Sequence, residues 1–384
     1  MNGIEESITD AAQKVAAFLS SFNAKKVAIF YDDDPDGICS GTLLEHFFTK
    51  KGYEIVRRYH FSEKNLPFSE SFKKDLEKSE AELLVFTDYC ISGFGFYEAY
   101  KSFIESTTIP ILIFDHHQDT AKYTDDTKRI VYLNSNIIQN EISGSQYCCS
   151  KFVYDIITKL DETHKKYRWL AAIGIIGDTN YIQWGDFIKE LISSENKKIE
   201  KEIIIPHEPE DYNLTPYGKA SAYIFFGIAK GDVAKIYKII QTSPTVFVAL
   251  EKLKQYEVVK REVYDYVENY EYLIKMHPKT DKEFQVAEIE IKSNATIGSI
   301  VANIISAKFP ETIFFIYHIR EDGFAYINVR LQKGSINLGT IMKKCAQQFE
   351  HANGGGHKEA AGARIPEEHF KSFRNHIYGA LENV

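Results

Sequence analysis

The stretch "KVAIFYDDDPDGICSG", Lys26 to Gly41, joins an apolar run to four aspartates within five positions and then to a glycine. The apolar run reads as a buried strand, and "GICSGTLLEHF" behind it as a helix. A strand that feeds straight into a helix predicts a right-handed crossover and a parallel sheet. Carboxylates this close repel one another unless something positive sits among them. A divalent cation is one resolution; a solvated acidic turn is the other, and Asp-Gly turns are common.

The flanking sequence repeats the pattern. "EIVRRYH" (54–60), "ELLVFTD" (82–88), "IPILIFD" (109–115) and "RIVYLN" (129–134) read as further strands, separated by amphipathic stretches such as "SESFKKDLEKS". Near-continuous Val/Ile/Leu/Phe runs suit a sheet covered on both faces. Three of the runs end in aspartate or lead directly into it, at Asp32, Asp88 and Asp115. Ligands of open α/β sheets bind at the carboxyl edge of the strands, so acids far apart in sequence are expected at one edge.

With 384 residues the chain is long enough for two domains, and 44% hydrophobic and 26% charged residues are those of a soluble globular protein. The start, "MNGIEESITDAAQKVAAFL", carries acids where a signal peptide carries bases, and no apolar run is long enough to span a bilayer. Five cysteines without a Cys-x-x-Cys spacing predict a reducing, cytoplasmic setting. A net charge of −8 argues against coating nucleic acid by bulk electrostatics, though not against a local basic groove.

Residues 145–240 read as mostly helical. The stretch 251–276, "EKLKQYEVVKREVYDYVENYEYLIKM", predicts one continuous helix of about 39 Å, long enough to join two domains. Beyond His277-Pro278 the pattern changes to alternation: "FQVAEIEI", "TIFFIYHI" and "FAYINVRLQ" are strands with one exposed face. "NLGTIMKKCAQQF" is then a helix, "EHANGGGHKEAAG" a loop, and the terminus a helix. No internal repeat or low-complexity tract is present.

Four motifs carry the metal chemistry. In "DDDPDG", Asp32, Asp34 and Asp36 alternate along the backbone, with Asp33 expected to point elsewhere, and hard oxygen donors suit Mg²⁺ or Mn²⁺. "FTDYCISG" adds Asp88, which alone reads equally as a turn residue. "FDHHQ" adds Asp115, His116 and His117, and imidazoles beside carboxylates favour a transition-type metal. "IIGDTN" puts Asp178 at the end of an apolar helix, where an unpartnered carboxylate is costly. Together they suffice for two metals sharing a bridging carboxylate, an arrangement that activates water and stabilises charge on phosphorus. In "HANGGGHKEAAGARI", Gly354, Gly355 and Gly356 let backbone amides approach an anion, with His357 and Lys358 as further donors. Arg330, on an upstream strand, is placed to reach the same phosphate.

The set "DDDPDG", "TDY", "DHH", "GDT" and, much later, "GGGHKEAAG" resembles the DHH phosphoesterase superfamily in motif order over nearly the whole chain. More narrowly it resembles members with the DHH-associated C-terminal domain: RecJ-like exonucleases, oligoribonucleases and cyclic-dinucleotide phosphodiesterases. The "GGGHKEAAG" segment does not fit the C-terminal domain of the family's inorganic pyrophosphatases. The resemblance implies an α/β chain in which a parallel-sheet metal domain (1–245) is joined by a linker helix (246–280) to a smaller α/β domain with a mixed sheet (281–384), the active site lying in the cleft between them. It implies two Mn²⁺, with Mg²⁺ an alternative. Asp32 and Asp34 would hold one ion, Asp36, His116 and Asp178 the other, and Asp88 would bridge. His117 would touch the scissile phosphate, Asp115 would orient the histidine pair, and Arg330 with Gly354, Gly355, Gly356 and His357 would bind the substrate's phosphate. Two departures stand out: the histidine many members carry ahead of the first aspartate pair is absent, and Gln332 follows Leu331 where serines flank the family's arginine.

The resulting expectation is a Mn²⁺-dependent phosphodiesterase acting from an end of single-stranded DNA or RNA, with replication or repair proteins as partners. The alternative is hydrolysis of very short oligonucleotides or of linear or cyclic dinucleotides, which the acidic balance and the lack of an obvious extra nucleic-acid module favour. A third reading, a non-catalytic replication scaffold, requires lost metal ligands.

Overall fold

The computed structural model describes residues 2–60, 68–89, 97–117, 129–138, 142, 146–196, 203–276 and 285–382. The chain forms two compact units, Met1–Ile228 with Asp232–Gln255, and Ala229–Gly231 with Tyr256–Val384.

In the first unit the five expected strands form, each within two residues of its expected ends: β1 Lys26–Tyr31, β2 Glu54–His60, β3 Leu83–Thr87, β4 Ile111–Asp115 and β5 Ile130–Asn134. All pair parallel, in the order β2-β1-β3-β4-β5. Every residue of β3 and β4 is buried, as their unbroken apolar runs require. One face of the sheet packs on an aromatic-rich cluster that includes Phe30, Phe72, Phe86 and Phe103. The other is covered by the helix Pro35–Lys50, which is itself packed by the helices Cys149–Leu160 and Arg168–Gly177. That layering explains why "GICSGTLLEHFF" is apolar all round: the helix buries nearly every residue from Pro35 to Phe48. The strand order reverses between β1 and β3, and at such a switch point the loops part to leave a crevice at the carboxyl edge.

The second unit holds β6 Gln285–Glu290, β7 Thr312–Ile319, β8 Phe324–Arg330, β9 Asn353–Gly356 and β10 Ala360–Pro366, in the order β6-β7-β8-β10-β9. The pair β6–β7 is parallel and the rest antiparallel, so the sheet is mixed. The helices Leu338–Ala346 and Glu367–Glu382 bury one of its faces around Ile327, Val329, Met342 and Phe373.

Two expectations change. The helix expected over 251–276 is broken: Val246–Leu253 ends in a 3₁₀ turn at Lys254–Tyr256, and the long helix begins at Glu257 and runs to Met276. Tyr256 is fully buried at the break, so side-chain burial overrides the charged helical pattern. The long helix is therefore about 30 Å in length rather than 39 Å. The change of pattern at His277-Pro278 lies outside the described residues. The glycine segment is likewise not a loop. Gly354, Gly355 and Gly356 form the edge strand β9, paired with Ala363, Gly362 and Ala361 of β10.

Among the described residues no helix is long and apolar enough to cross a membrane. Cys39, Cys148, Cys149 and Cys345 are buried free thiols.

Candidate metal centre

The acids converge at the switch point. Asp32 follows β1, Asp88 follows β3, and Asp115 closes β4 with His116 and His117 behind it. Asp34 caps the helix Pro35–Lys50 by accepting from Gly37 N at 2.8 Å, and Asp36 lies in its first turn. Asp178 caps the C-terminus of the helix Arg168–Gly177. Three donor groups result, Asp32–Asp34–Asp88, Asp36–His116–Asp178 and Asp88–His116–His117, in each of which the ligand atoms lie within 4.8 Å of one another. Asp88 and His116 belong to two groups each, and Asp33 to none.

His116 Nε2 is the hub. It lies 3.2 Å from Asp88 Oδ1, 3.5 Å from Asp178 Oδ2 and 4.0 Å from Asp36 Oδ2. Asp88 is held in the left-handed region at φ 59°, its N–H donating to Phe114 O at 2.9 Å. Asp and Asn tolerate that conformation better than other side-chain-bearing residues. Asp88 Oδ1 is fully buried and accepts no hydrogen bond from any described residue. A buried carboxylate oxygen in that condition calls for a cation.

Asp36 is gripped from behind. Cys149 N donates to its Oδ2 at 2.6 Å and Ser150 N to its Oδ1 at 2.9 Å, so the carboxylate sits on the N-terminus of the helix Cys149–Leu160. Gly174 makes room for it, since a Cβ there would lie 2.5 Å from Asp36 Oδ1 and 2.0 Å from Ser150 Oγ. None of these three partners was legible, because a backbone amide or a missing Cβ carries no motif. The stretch "NSN", residues 134–136, is different, because its two amide side chains make the contacts themselves. Asn134 Nδ2 donates to His117 O at 3.0 Å and Asn136 Nδ2 to His116 O at 2.5 Å, fixing the backbone of the histidine pair.

Asp115 is buried and holds that pair through one oxygen, which accepts from His116 N at 2.8 Å, His117 N at 3.2 Å and His117 Nδ1 at 2.8 Å. Tyr132 and Asn134 donate to its other oxygen at 3.2 and 3.4 Å.

The electrostatics match this crowding. Burial, reinforced by neighbouring aspartates, raises the pKa of Asp32, Asp34 and Asp88 above the carboxylate range. Burial and the Asp36 charge push Asp178 up to about 7. Burial works against the charged form of His117, but the hydrogen bond to Asp115 and the Asp88 charge outweigh it and lift the group to about 9. Without a cation these carboxyls retain protons well above their usual range. Five carboxylates and an imidazole around an orphaned oxygen fit hard divalent cations of the Mn²⁺ or Mg²⁺ type.

In the second unit, Arg330 ends β8 opposite Ala360, and its Nε donates to Asn303 Oδ1 at 2.8 Å. Burial lowers its pKa from the usual arginine value. The corner after β9 is tied to the same end of the sheet: His357 N donates to Ala360 O at 2.7 Å, and Leu331 N to Glu359 O at 2.9 Å. Arg330 and exposed His357 are thereby brought to one corner. The glycines are set by close packing: a Cβ on Gly339 would stand 2.2 Å from Gly356 O, and Gly356 has φ 138°. At Gly355 a Cβ would meet nothing.

The first unit thus carries a parallel sheet with an Asp/His donor set at its carboxyl edge, and the second unit is a mixed-sheet module. The DHH family N-terminal domain matches residues 26–175 and the DHHA1 domain residues 281–383. The chain belongs to the DHH family and carries a DHHA1 domain. No curated protein matches it in sequence. Among solved structures it resembles RecJ from Thermus thermophilus in complex with Mn²⁺ (TM-score 0.63, 15% identity), covering 98% of this chain and 55% of that one. It also resembles exonuclease RecJ bound to manganese (0.66, 15%, covering 98% and 95%) and the DHH domain of a member of the s1p family of ribosomal proteins (0.67, 17%, covering 99% and 91%). The chain thus spans about half the length of the Thermus protein, and identities this low establish the fold alone.

Proposed function

We propose that the chain is a Mn²⁺-dependent phosphodiesterase that removes nucleotides from an end of single-stranded DNA or RNA. The observation that carries this reading is the sharing of Asp88 and His116 between overlapping donor groups, with Asp88 Oδ1 buried and unsatisfied. Asp32 and Asp34 would hold one ion, Asp36, His116 and Asp178 a second, with Asp88 common to both. Bound there, a cation pair supplies an activated water and neutralises charge on the phosphoryl group. His117, oriented by the contact of its Nδ1 with Asp115 Oδ1, donates a hydrogen bond from its other ring nitrogen to a phosphate oxygen. Asp115, Asn134 and Asn136 fix the orientation of the histidine pair. Arg330, Gly354, Gly355, Gly356 and His357 bind the phosphate of the terminal nucleotide.

The net charge of −8 supports a second reading, a preference for di- to pentanucleotides or for linear or cyclic dinucleotides, since a long polyanion meets more repulsion than a short one. Oligonucleotides of both sugar types, labelled at either end in turn and incubated with Mn²⁺ or EDTA, test the first reading. Hydrolysis with Mn²⁺ alone is expected; no hydrolysis of any length overturns it. The rate against length separates the two readings.

A further inference from the structure

The first unit contains a cavity of about 240 Å³ that the acid cluster does not use, lined by Tyr31, Arg58, His60, Tyr237 and Lys238 among others. Tyr31 and Tyr237 stack with ring centroids 4.3 Å apart, and both are buried. Arg58 is held as a rigid fork: Nε and Nη2 donate to Glu45 Oε2 and Oε1 at 2.7 and 2.6 Å, and Tyr237 donates to Glu45 Oε2 at 3.0 Å. Its Nη1 donates to none of the described residues. His60 ends β2 in register with Tyr31, and Lys238 projects, exposed, from the helix Val233–Gln241. Among the described residues the lining holds Arg58, His60 and Lys238 and no acidic side chain, with Glu45 paired to Arg58 behind it, in a chain whose net charge is −8. Its volume is below the about 300 Å³ at which small-molecule sites begin, so it suits a charged group rather than a whole nucleotide. Tyr31 of the lining is followed in the chain by Asp32 of the donor set.

We propose that this cavity holds a phosphodiester group of the bound strand away from the bond that is cut. The inference rests on the phosphodiesterase reading and adds to it a site that rewards substrates longer than a dinucleotide. The aromatic floor lowers the local dielectric and strengthens the attraction of phosphate to the Lys238 ammonium, with Arg58 and His60 as hydrogen-bond donors. Arg58, already oriented by Glu45, contributes donors at little entropic cost.

The test uses Lys238→Ala, His60→Ala and the double variant of the full chain. With EDTA present, anisotropy of a labelled pentanucleotide is expected to show about tenfold weaker binding for the double variant. The salt slope should fall by about 0.7 for Lys238→Ala, one phosphate contact on a single strand. With Mn²⁺, KM for the pentanucleotide rises by a similar factor while KM for a dinucleotide moves less than twofold. Equal losses for both lengths, or none for either, overturn the proposal. So does a variant that loses inorganic phosphate yet keeps the pentanucleotide, which marks a free-anion site. A wild type that cleaves nothing defeats the phosphodiesterase reading alone, because the binding measurement still decides the cavity.

Discussion

Gly174 faces Asp36 so closely that a Cβ would stand 2.5 Å from the carboxylate oxygen. The helix carrying Gly174 and the helix whose N-terminus grips Asp36 thus meet across a gap sized for that one side chain. Gly174→Ala is expected to destabilise the protein by about 1–3 kcal/mol through overpacking and to weaken Mn²⁺ binding by displacing Asp36. Thermal unfolding and metal titration together check it. Unchanged Mn²⁺ affinity would mean that Asp36 does not ligate.

Asp88→Asn separates stability from metal binding. Asn accepts the left-handed backbone, so the fold persists. Replacing a carboxyl whose ionisation burial and the Asp36 and Asp34 charges oppose should raise the unfolding temperature of the metal-free protein most at alkaline pH, where that carboxyl is driven to ionise. Turnover should fall by about 10³-fold, the equivalent of several kcal/mol of metal-ion stabilisation. A variant that retains activity dismisses Asp88 as a shared ligand.

The pH dependence of the metal-free protein follows from the raised carboxyls. Unfolded aspartates titrate near pH 3.9, whereas Asp178 titrates at about 7 in the fold and Asp32, Asp34 and Asp88 are also shifted upward. The native state then binds more protons than the unfolded one, so stability is full at low pH and is lost as pH rises through that window. Mn²⁺ takes the place of those protons. Melting curves in EDTA should fall from pH 5 to pH 8, and added Mn²⁺ should raise the midpoint more at pH 8 than at pH 5. A flat EDTA series would contradict the cluster's electrostatics.

Asp115→Asn tests the support of the histidine pair. The amide keeps one acceptor oxygen for the three N–H groups on Asp115 Oδ1 but turns a donor towards Tyr132 and Asn134, which now donate to Oδ2, and it removes the charge that raises His117. A loss of about 10–100-fold in activity or metal affinity is expected, with the alkaline limb of the pH–rate profile moved to lower pH. Activity lost with an unmoved profile would point to a purely structural role.

Gly355 and Gly356 should respond differently to alanine. Gly355→Ala meets open space and is expected to leave the unfolding temperature unchanged while raising KM, if the strand approaches substrate. Gly356→Ala places a Cβ 2.4 Å from Ala360 O at φ 138° and should destabilise the unit. An unchanged KM in Gly355→Ala removes the glycine strand from the binding surface.

The parallel sheet and its acid edge were legible because both depend on residue type. β3 and β4 are unbroken apolar runs, and Asp32, Asp88 and Asp115 sit where those runs stop. What escaped is written in geometry rather than in residue type. The grip on Asp36 comes from two amides that any residues at 149 and 150 would supply. Strand β9 is made of glycines, poor strand formers, because the helix Leu338–Ala346 packs so closely that Gly354 has no room for a side chain: a Cβ there would stand 2.9 Å from the Ala346 Cβ. The break at Lys254–Tyr256 was hidden because a single 3₁₀ turn barely shifts the phase of a helical pattern.

The bonds from Cys149 and Ser150 to Asp36 join positions more than a hundred residues apart. During synthesis the residues of β1 to β5 emerge before either clasp or the Asp178 cap does. An N-terminal fragment ending near residue 140 would carry the acid edge without its counterpart, and its Mn²⁺ uptake should be far weaker than that of the whole unit. On that expectation, competence for metal would be a late event in the life of the nascent polypeptide, gated by the arrival of its helical half.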